Sequence, residues 1–412
     1  MSYEFNLKDR GIEFVSLKPE DCPALPRGVK DSLEFYDLCC RTLCGVMFNH
    51  ASSGHPGGSI SSGRIVQSLV FNRMNYNISD PMDRTADILS YAAGHKALGL
   101  YAMSALRNEV VRLVDPDQLP EVRQQLRLED LLGFRKNPIT STPLFKEFGA
   151  KPLDGHPTPE TPFVWLSTGP SGVGVASSVG LALTLKDMHG ENAPNVHVIE
   201  GEGGMTPGRV AEALASAATS GLDNLYFHVD WNQASIDSNV VTRDGATAGE
   251  YVQWDPCDFL LMHGFNVVYV PDGFDFEQIR AAQERALSFD NGRPTGIVYR
   301  TIKGWQYGIE GCKSHGAGHK FYSEEYLATL KPFEDKLGLS VPRFDGEKNA
   351  VTIEQAYYDS LLTIRNAFES NMALTRQLAD WIVDAKQRLA DSPRELRANA
   401  PRLDRLYEKG AL

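Results

Sequence analysis

The sequence predicts an α/β protein, a doubly wound parallel sheet followed by a helical carboxy-terminal extension. Two observations carry this. Between about Val196 and Lys303, short apolar runs alternate with amphipathic stretches, the order of a parallel sheet wrapped by helices. The runs are β-branched or aromatic and apolar on both faces, as strands covered on both sides must be. After Phe333 the pattern changes to a long helical run.

Taken along the chain, DILSY (87–91) reads as a strand and a helix follows from about Lys96 to Leu106. Residues 111–160 are rich in Pro, Leu and charge without a clear period, which predicts a long excursion over the sheet edge; loops of such length are often functional. Trp165 and Leu166 read as a short strand before the small-residue helix GVGVASSVGLALTLK. VHVI (196–199), LYFHV (225–229), NVVYV (266–270) and GIVYR (296–300) are the clearest strands. Between the first two of these, Thr206 and Pro207 are expected to cap and open a helix through Ala218. Beyond Phe333, Thr352 with Gln355 suggests a capping box, and Tyr357, Leu361, Ile364, Phe368, Leu378 and Ile382 recur at helical spacing. These patterns divide the chain into 1–335, the sheet domain, and 336–412, a helical extension ending in a polar, Pro-broken tail or docking segment.

Composition narrows the function. With 41 Lys and Arg against 53 Asp and Glu, the net charge of −12 opposes a phosphate-tracking nucleic-acid surface. Hydrophobic residues at 42% and charged residues at 23% are those of a folded globular chain. No apolar run reaches the length of a membrane span, about eighteen residues, and the opening MSYEFNLKDRGIEF lacks the features of a signal peptide. A cytoplasmic location without membrane attachment is expected. Of the 6 cysteines, Cys39, Cys40 and Cys44 share one apolar helical stretch. They read as reduced core residues, the alternative being a metal cluster that lacks any spaced His or carboxylate.

Three groups of residues carry chemistry. Glu202, after one strand, and Asn232, at the end of the next, are thirty residues apart, and neighbouring parallel strands bring such tips together. A carboxylate, an amide oxygen and nearby carbonyls can hold a hard divalent cation that grips a diphosphate. The same residues also suit a tight strand-to-helix turn with a capping Asn. Gly169, Gly172 and Gly174 in STGPSGVG open a helix, either as an anion site or for close packing on the sheet. A nicotinamide fingerprint is disfavoured by the glycine order. Finally, His55, His95, His156 and His315 each stand beside glycines, where imidazoles serve better as proton shuttles than as core residues. Cys312, His315 and His319 could instead hold zinc, but the spacing lacks a fourth ligand.

Together SGHPGGS, GH at 94–95, GHP at 155–157, STGPSGVG, GEG with Asn232, and TIKG followed by SHG resemble the transketolase family of thiamine diphosphate enzymes, specifically its amino-terminal, diphosphate-binding half. The resemblance implies the thiamine diphosphate-binding fold. It implies that Glu202, Asn232 and the carbonyl of Ala234 bind Mg²⁺, with Ca²⁺ or Mn²⁺ as substitutes. Gly169, Pro170, Ser171, Gly203, Gly204 and Asn232 would contact the cofactor, and His55, His95, His156 and His315 would line the substrate channel, His156 at the donor's terminal hydroxyl.

Three departures from the family pattern matter. Glu202 stands where the family has Asp, so one extra methylene must be absorbed. The stretch from His95 to His156 is longer than usual. The residues after Phe333 look helical, whereas the family's pyrimidine-binding domain, carrying the Glu that activates the cofactor, needs about 150 residues in a doubly wound fold. The expectation is therefore one subunit of a two-component transketolase, an α2β2 hetero-oligomer, transferring a two-carbon ketol unit from a ketose phosphate to an aldehyde. The alternatives are the decarboxylating component of a 2-oxo-acid dehydrogenase-type complex and a non-catalytic scaffold relative.

Overall fold

The computed structural model describes residues 11–135 and 141–400; the last part of the polar tail, 401–412, lies outside the described residues. In chain order the elements are β1 (Phe14–Ser16), α1 (Arg27–Ala51), α2 (Pro56–Ser61), α3 (Gly63–Asn72), β2 (Ile88–Tyr91), α4 (Ala97–Val114), α5 (Pro143–Glu147), α6 (Val173–His189) and β3 (Val196–Gly201). There follow α7 (Gly208–Thr219), β4 (Leu225–Trp231), α8 (Pro256–Met262), β5 (Asn266–Val270), α9 (Phe276–Leu287), β6 (Thr295–Arg300), α10 (Glu324–Leu337), α11 (Ala350–Ser370) and α12 (Met372–Asp391). Among the described residues no helix is long and apolar enough to cross a membrane.

The strands form one six-stranded sheet in the order β1-β5-β6-β4-β3-β2, parallel at every pairing. Its register positions the site. Gly201 lies opposite Asp230, Trp231 opposite Arg300, and Tyr91 opposite Ile199. The segments that leave β2, β3, β4 and β6 therefore emerge side by side at one edge, where ligands of open α/β sheets bind.

Helices cover both faces. On one, α6, α7 and α8 pack on the sheet around Val175, Leu214, Phe227 and Phe259. On the other, α1 is the central helix, with α4, α10, α11 and α12 against it. Cys39, Cys40 and Cys44 are free and buried there. The extension joins this core: Phe368 of α11 meets Phe35 edge-on at 5.0 Å between centroids, and Ser32 donates to Gln377 Oε1 of α12 at 2.6 Å. Polar ties reinforce it. Arg365 reaches Glu109 at 2.6 Å and Glu129 at 2.7 Å. Glu354, buried in α11, accepts from the backbone of Leu144 at 2.8 Å and Phe145 at 3.0 Å and from the Thr142 hydroxyl. The helical extension thus holds down part of the excursion, which is built from short 3-10 turns and α5.

Four sequence expectations need correction. Trp165 and Leu166 form no strand, because Pro157, Pro159, Pro162 and Pro170 interrupt that segment and a proline cannot donate to a ladder. Thr206 does not cap α7. Its hydroxyl donates to Gly203 O at 2.9 Å in the preceding turn, and the N-cap is Pro207. The capping box of α11 pairs Thr352 with Asn349, not Gln355, whose amide donates to Asp359. The helix that follows Lys96 runs on to Val114, into the stretch read as aperiodic.

Candidate active site

The site is built where the chain turns out of the sheet. Backbone approaches there are so close that side chains are excluded. A Cβ on Gly94 would stand 2.6 Å from Gly169 N, which binds the loop after β2 to the loop before α6. A Cβ on Gly204 would collide with the Glu200 carboxylate. The result is a cavity of about 340 Å³ lined by, among others, His95, Lys96, Gly169, Ser171, Glu200, Glu202, Gly203, Gly204, Asn232, Ala234, Lys303 and His315. Pro170, between two lining residues, is exposed, its carbonyl accepting from Val173 N in the first turn of α6.

Glu202 and Asn232 do come together: Asn232 N donates to Glu202 Oε2 at 3.1 Å. The other oxygen, Oε1, is buried with no hydrogen-bond partner among the described residues. Burial and then the nearby Asp230 charge push the Glu202 carboxyl up to about 7. Glu200 repeats the pattern, with Oε2 unpartnered and burial raising the carboxyl to about 7. An unpaired buried carboxylate oxygen is costly, and a divalent cation is what hard oxygen donors in such a place suit. The glycine-lined walls and this orphaned oxygen fit a cation that carries a diphosphate. The Ala234 carbonyl faces the same cavity but already accepts from Lys303 Nζ at 2.7 Å, and the same ammonium meets His315 Nδ1 at 2.7 Å. Burial pulls the Lys303 ammonium down to about 8.

Three of the four expected histidines converge. The His55 ring lies 5.4 Å from His95 and 5.2 Å from His315, and His95 stacks on His315 at 5.2 Å. Burial, together with neighbouring cations, lowers all three, His55 and His315 to about 4, so the cluster is neutral at physiological pH. His156 is exposed and lies against Gly169, where a Cβ on that glycine would stand 3.2 Å from the imidazole; its charge also reaches His55. Beside it Arg135, in the left-handed region at φ 53°, donates to Ser53 Oγ at 2.8 Å and keeps a buried Nε without a partner among the described residues. Its positive charge reaches both His55 and His156. Cys312, His315 and His319 do not assemble: His319 Nε2 bonds to Tyr307 O at 2.7 Å. Among the described residues no three or more His, Cys, Asp or Glu are placed to hold a metal.

Reading the sequence missed Lys96, Arg135, Glu200, Asp230 and Lys303. All but Arg135 lie in or beside a motif that was singled out, and a signal existed for one: β4 is buried at all seven positions, so the Asp230 carboxylate near its end demands a cationic or multiply donating partner. That partner is Lys96, whose Nζ is 2.7 Å from Asp230 Oδ2.

Comparison with known proteins agrees with this geometry. Residues 122–342 match the family described as "Transketolase, thiamine diphosphate binding domain". Transketolase-like protein 2 of Mus musculus is 32% identical over 253 residues, covering 61% of this chain and 34% of the mouse protein. Transketolase of Physarum polycephalum is 27% identical over 365 residues, covering 83% of this chain and 50% of its own length. Among solved structures, transketolase from Leishmania mexicana superposes with a TM-score of 0.60 at 24% identity, over 89% of this chain and 50% of its own. That from Campylobacter jejuni gives 0.59 at 26% identity, over 88% and 50%. The chain thus spans a third to a half of the length of these relatives.

Proposed function

The chain belongs to the transketolase family through its thiamine diphosphate-binding domain, and from that premise we propose that it transfers a two-carbon ketol unit from a ketose phosphate to an aldehyde acceptor. The observation that carries the proposal is the conjunction at one sheet edge of an unpaired, buried Glu202 oxygen, a glycine-lined cavity and three neutral imidazoles.

In this reading Glu202 and Asn232 hold Mg²⁺, or Ca²⁺ or Mn²⁺ in its place, and the Ala234 carbonyl joins them if Lys303 yields. The segments Gly169–Ser171 and Gly203–Gly204 border the diphosphate. When bound, thiamine diphosphate supplies the nucleophilic carbon and the electron sink. The protein's part is positioning and proton movement. His55, His95 and His315, neutral and mutually packed, accept and return protons at the substrate's hydroxyl and carbonyl oxygens. His156 receives the donor's terminal hydroxyl, and Arg135, between His55 and His156, suits the anionic end of a phosphorylated sugar.

We further propose that a second polypeptide contributes the pyrimidine-binding fold and the activating Glu, in an α2β2 assembly. Two facts support this: the matched relatives extend well beyond the region of similarity, and residues 350–391 are helices that fold back on α1.

The test is an assay of the full-length chain with the product of a neighbouring gene, Mg²⁺ and thiamine diphosphate. Ketose phosphates are set against 2-oxo acids. Ketol transfer that requires both proteins is expected. Decarboxylation of 2-oxo acids without ketol transfer would replace the proposed reaction, and robust transfer by the single purified chain would remove the partner.

A further inference from the structure

Asp230 is fully buried, and it receives four donors, three from segments that reach the site from elsewhere in the chain and one from just beyond itself. Ser61 Oγ of α2 is 2.6 Å away, Lys96 Nζ 2.7 Å and Asn232 Nδ2 3.0 Å, all at Oδ2, while the Thr301 hydroxyl after β6 donates to Oδ1. Burial alone would raise this carboxyl, but the Lys96 ammonium and the hydroxyl donors outweigh it and hold it below the usual range.

The bond to Asn232 has a directional consequence. A carboxylate accepts only, so the amide must present its NH₂ to Asp230 and turn its oxygen the other way. Asn232 Oδ1 indeed accepts from Ala234 N at 3.0 Å, and both residues line the cavity. We infer that Asp230, charge-balanced by Lys96, is a positioning residue that fixes the Asn232 amide with its oxygen toward the cavity and so sets the cation affinity of the site. The inference rests on the reading of Glu202 and Asn232 as the side chains that hold the cation. Lys96 matters because it spends the Asp230 charge within the protein, leaving the carboxylate an orienting acceptor instead of a competing ligand.

Mn²⁺ titrated into the full-length chain with thiamine diphosphate, with free Mn²⁺ read by electron paramagnetic resonance, tests this apart from turnover. Asp230→Asn keeps the shape but offers either an oxygen or an NH₂ to Asn232, so of the two groups that set the amide direction only the Ala234 N–H remains. Affinity should fall roughly 10- to 100-fold, the range for losing an outer partner of a metal ligand. The combined Asp230→Asn and Lys96→Met substitutions, which preserve net charge, should be as weak. Recovery of native affinity in the combined variant would overturn the inference, since charge balance and not orientation would then be what Asp230 supplies. Glu202→Gln separates the two layers: if it too leaves Mn²⁺ binding unchanged, the cation reading fails, whereas loss in Glu202→Gln with none in Asp230→Asn refutes positioning alone. Should the Asp230 variants fail to fold, Thr301→Val removes one donor isosterically. A fall of about threefold or more is then expected, and unchanged affinity overturns the inference.

Discussion

The cavity at the sheet edge and the contact between α11–α12 and residues 109–148 both bury carboxylates, yet they treat them in opposite ways. In the contact every one is answered: Glu109 by Arg112 and Arg365, Glu129 by Arg365, and Glu354 by two backbone amides and a hydroxyl. In the cavity Glu200 and Glu202 each keep an oxygen without a partner among the described residues. Internal satisfaction is what stability requires. Two unanswered oxygens side by side at a cavity are what an outside group would complete, so the contrast points to residues kept for folding in one region and residues kept for binding in the other.

The contrast is broken most decisively at Glu202. Glu202→Gln should weaken cation-dependent thiamine diphosphate binding by more than the roughly 10- to 100-fold typical of outer-sphere losses, while the melting temperature of the ligand-free chain holds or rises. Isothermal titration with Mg²⁺ and thermal unfolding of the same variant check both halves. Glu202→Asp then tells whether the loop is built around the longer side chain: tighter cation binding would mark Glu as a compromise.

Glu354→Ala should show the mirror image. Removing the acceptor for three donors is expected to cost about 2–3 kcal/mol in urea unfolding, with cation affinity intact. Loss of cation binding instead would show that the extension reaches the site.

His156→Ala should lower turnover of hydroxyketone donors about tenfold, the worth of one hydrogen bond to the donor, with cofactor affinity unchanged. Steady-state kinetics beside a cofactor titration distinguish this from damage to the diphosphate site.

The smallest effect is on the pH dependence of stability. His197 and His228 inside the sheet, like the three clustered rings, titrate below the usual histidine range because they are buried, His197 at about 4. As pH falls from 6.5 toward 4, the unfolded chain takes up protons that the folded one refuses, so stability falls. Glu200 works against this: raised to about 7, it carries its proton in the folded state down from that pH, and acidification toward 4.5 favours folding through it. Glu200→Gln should therefore steepen the loss of melting temperature between pH 6.5 and 4.5 by a few degrees. An unchanged slope would mean that the carboxyl titrates normally.

How much of this was legible in the sequence depended on how local the signal was. β3 to β6 and β2 were readable to within about two residues because parallel strands buried on both faces leave continuous apolar runs. The histidine and glycine motifs of the site were readable because each is a short local pattern. Lys96 and Asp230 were not, since the meaning of each depends on a partner 134 residues away and a lone charge in a motif looks like any solvated one. Arg135 was hidden inside an aperiodic stretch, and its role comes from the left-handed turn that aims it at Ser53. β1 pairs only three residues with β5, too short a stretch for periodicity to register.

The central place of α1 has a consequence for synthesis. Its apolar faces are closed partly by helices made much later: Ser32 finds its partner Gln377 only 345 residues on. At typical elongation rates this is a wait of roughly 20–70 s, during which Phe35, Tyr36 and the surrounding leucines lack their covering layer. Closing a loop that long before its contacts are rewarded also slows folding. The nascent chain is thus a natural client for holding chaperones until α12 is released.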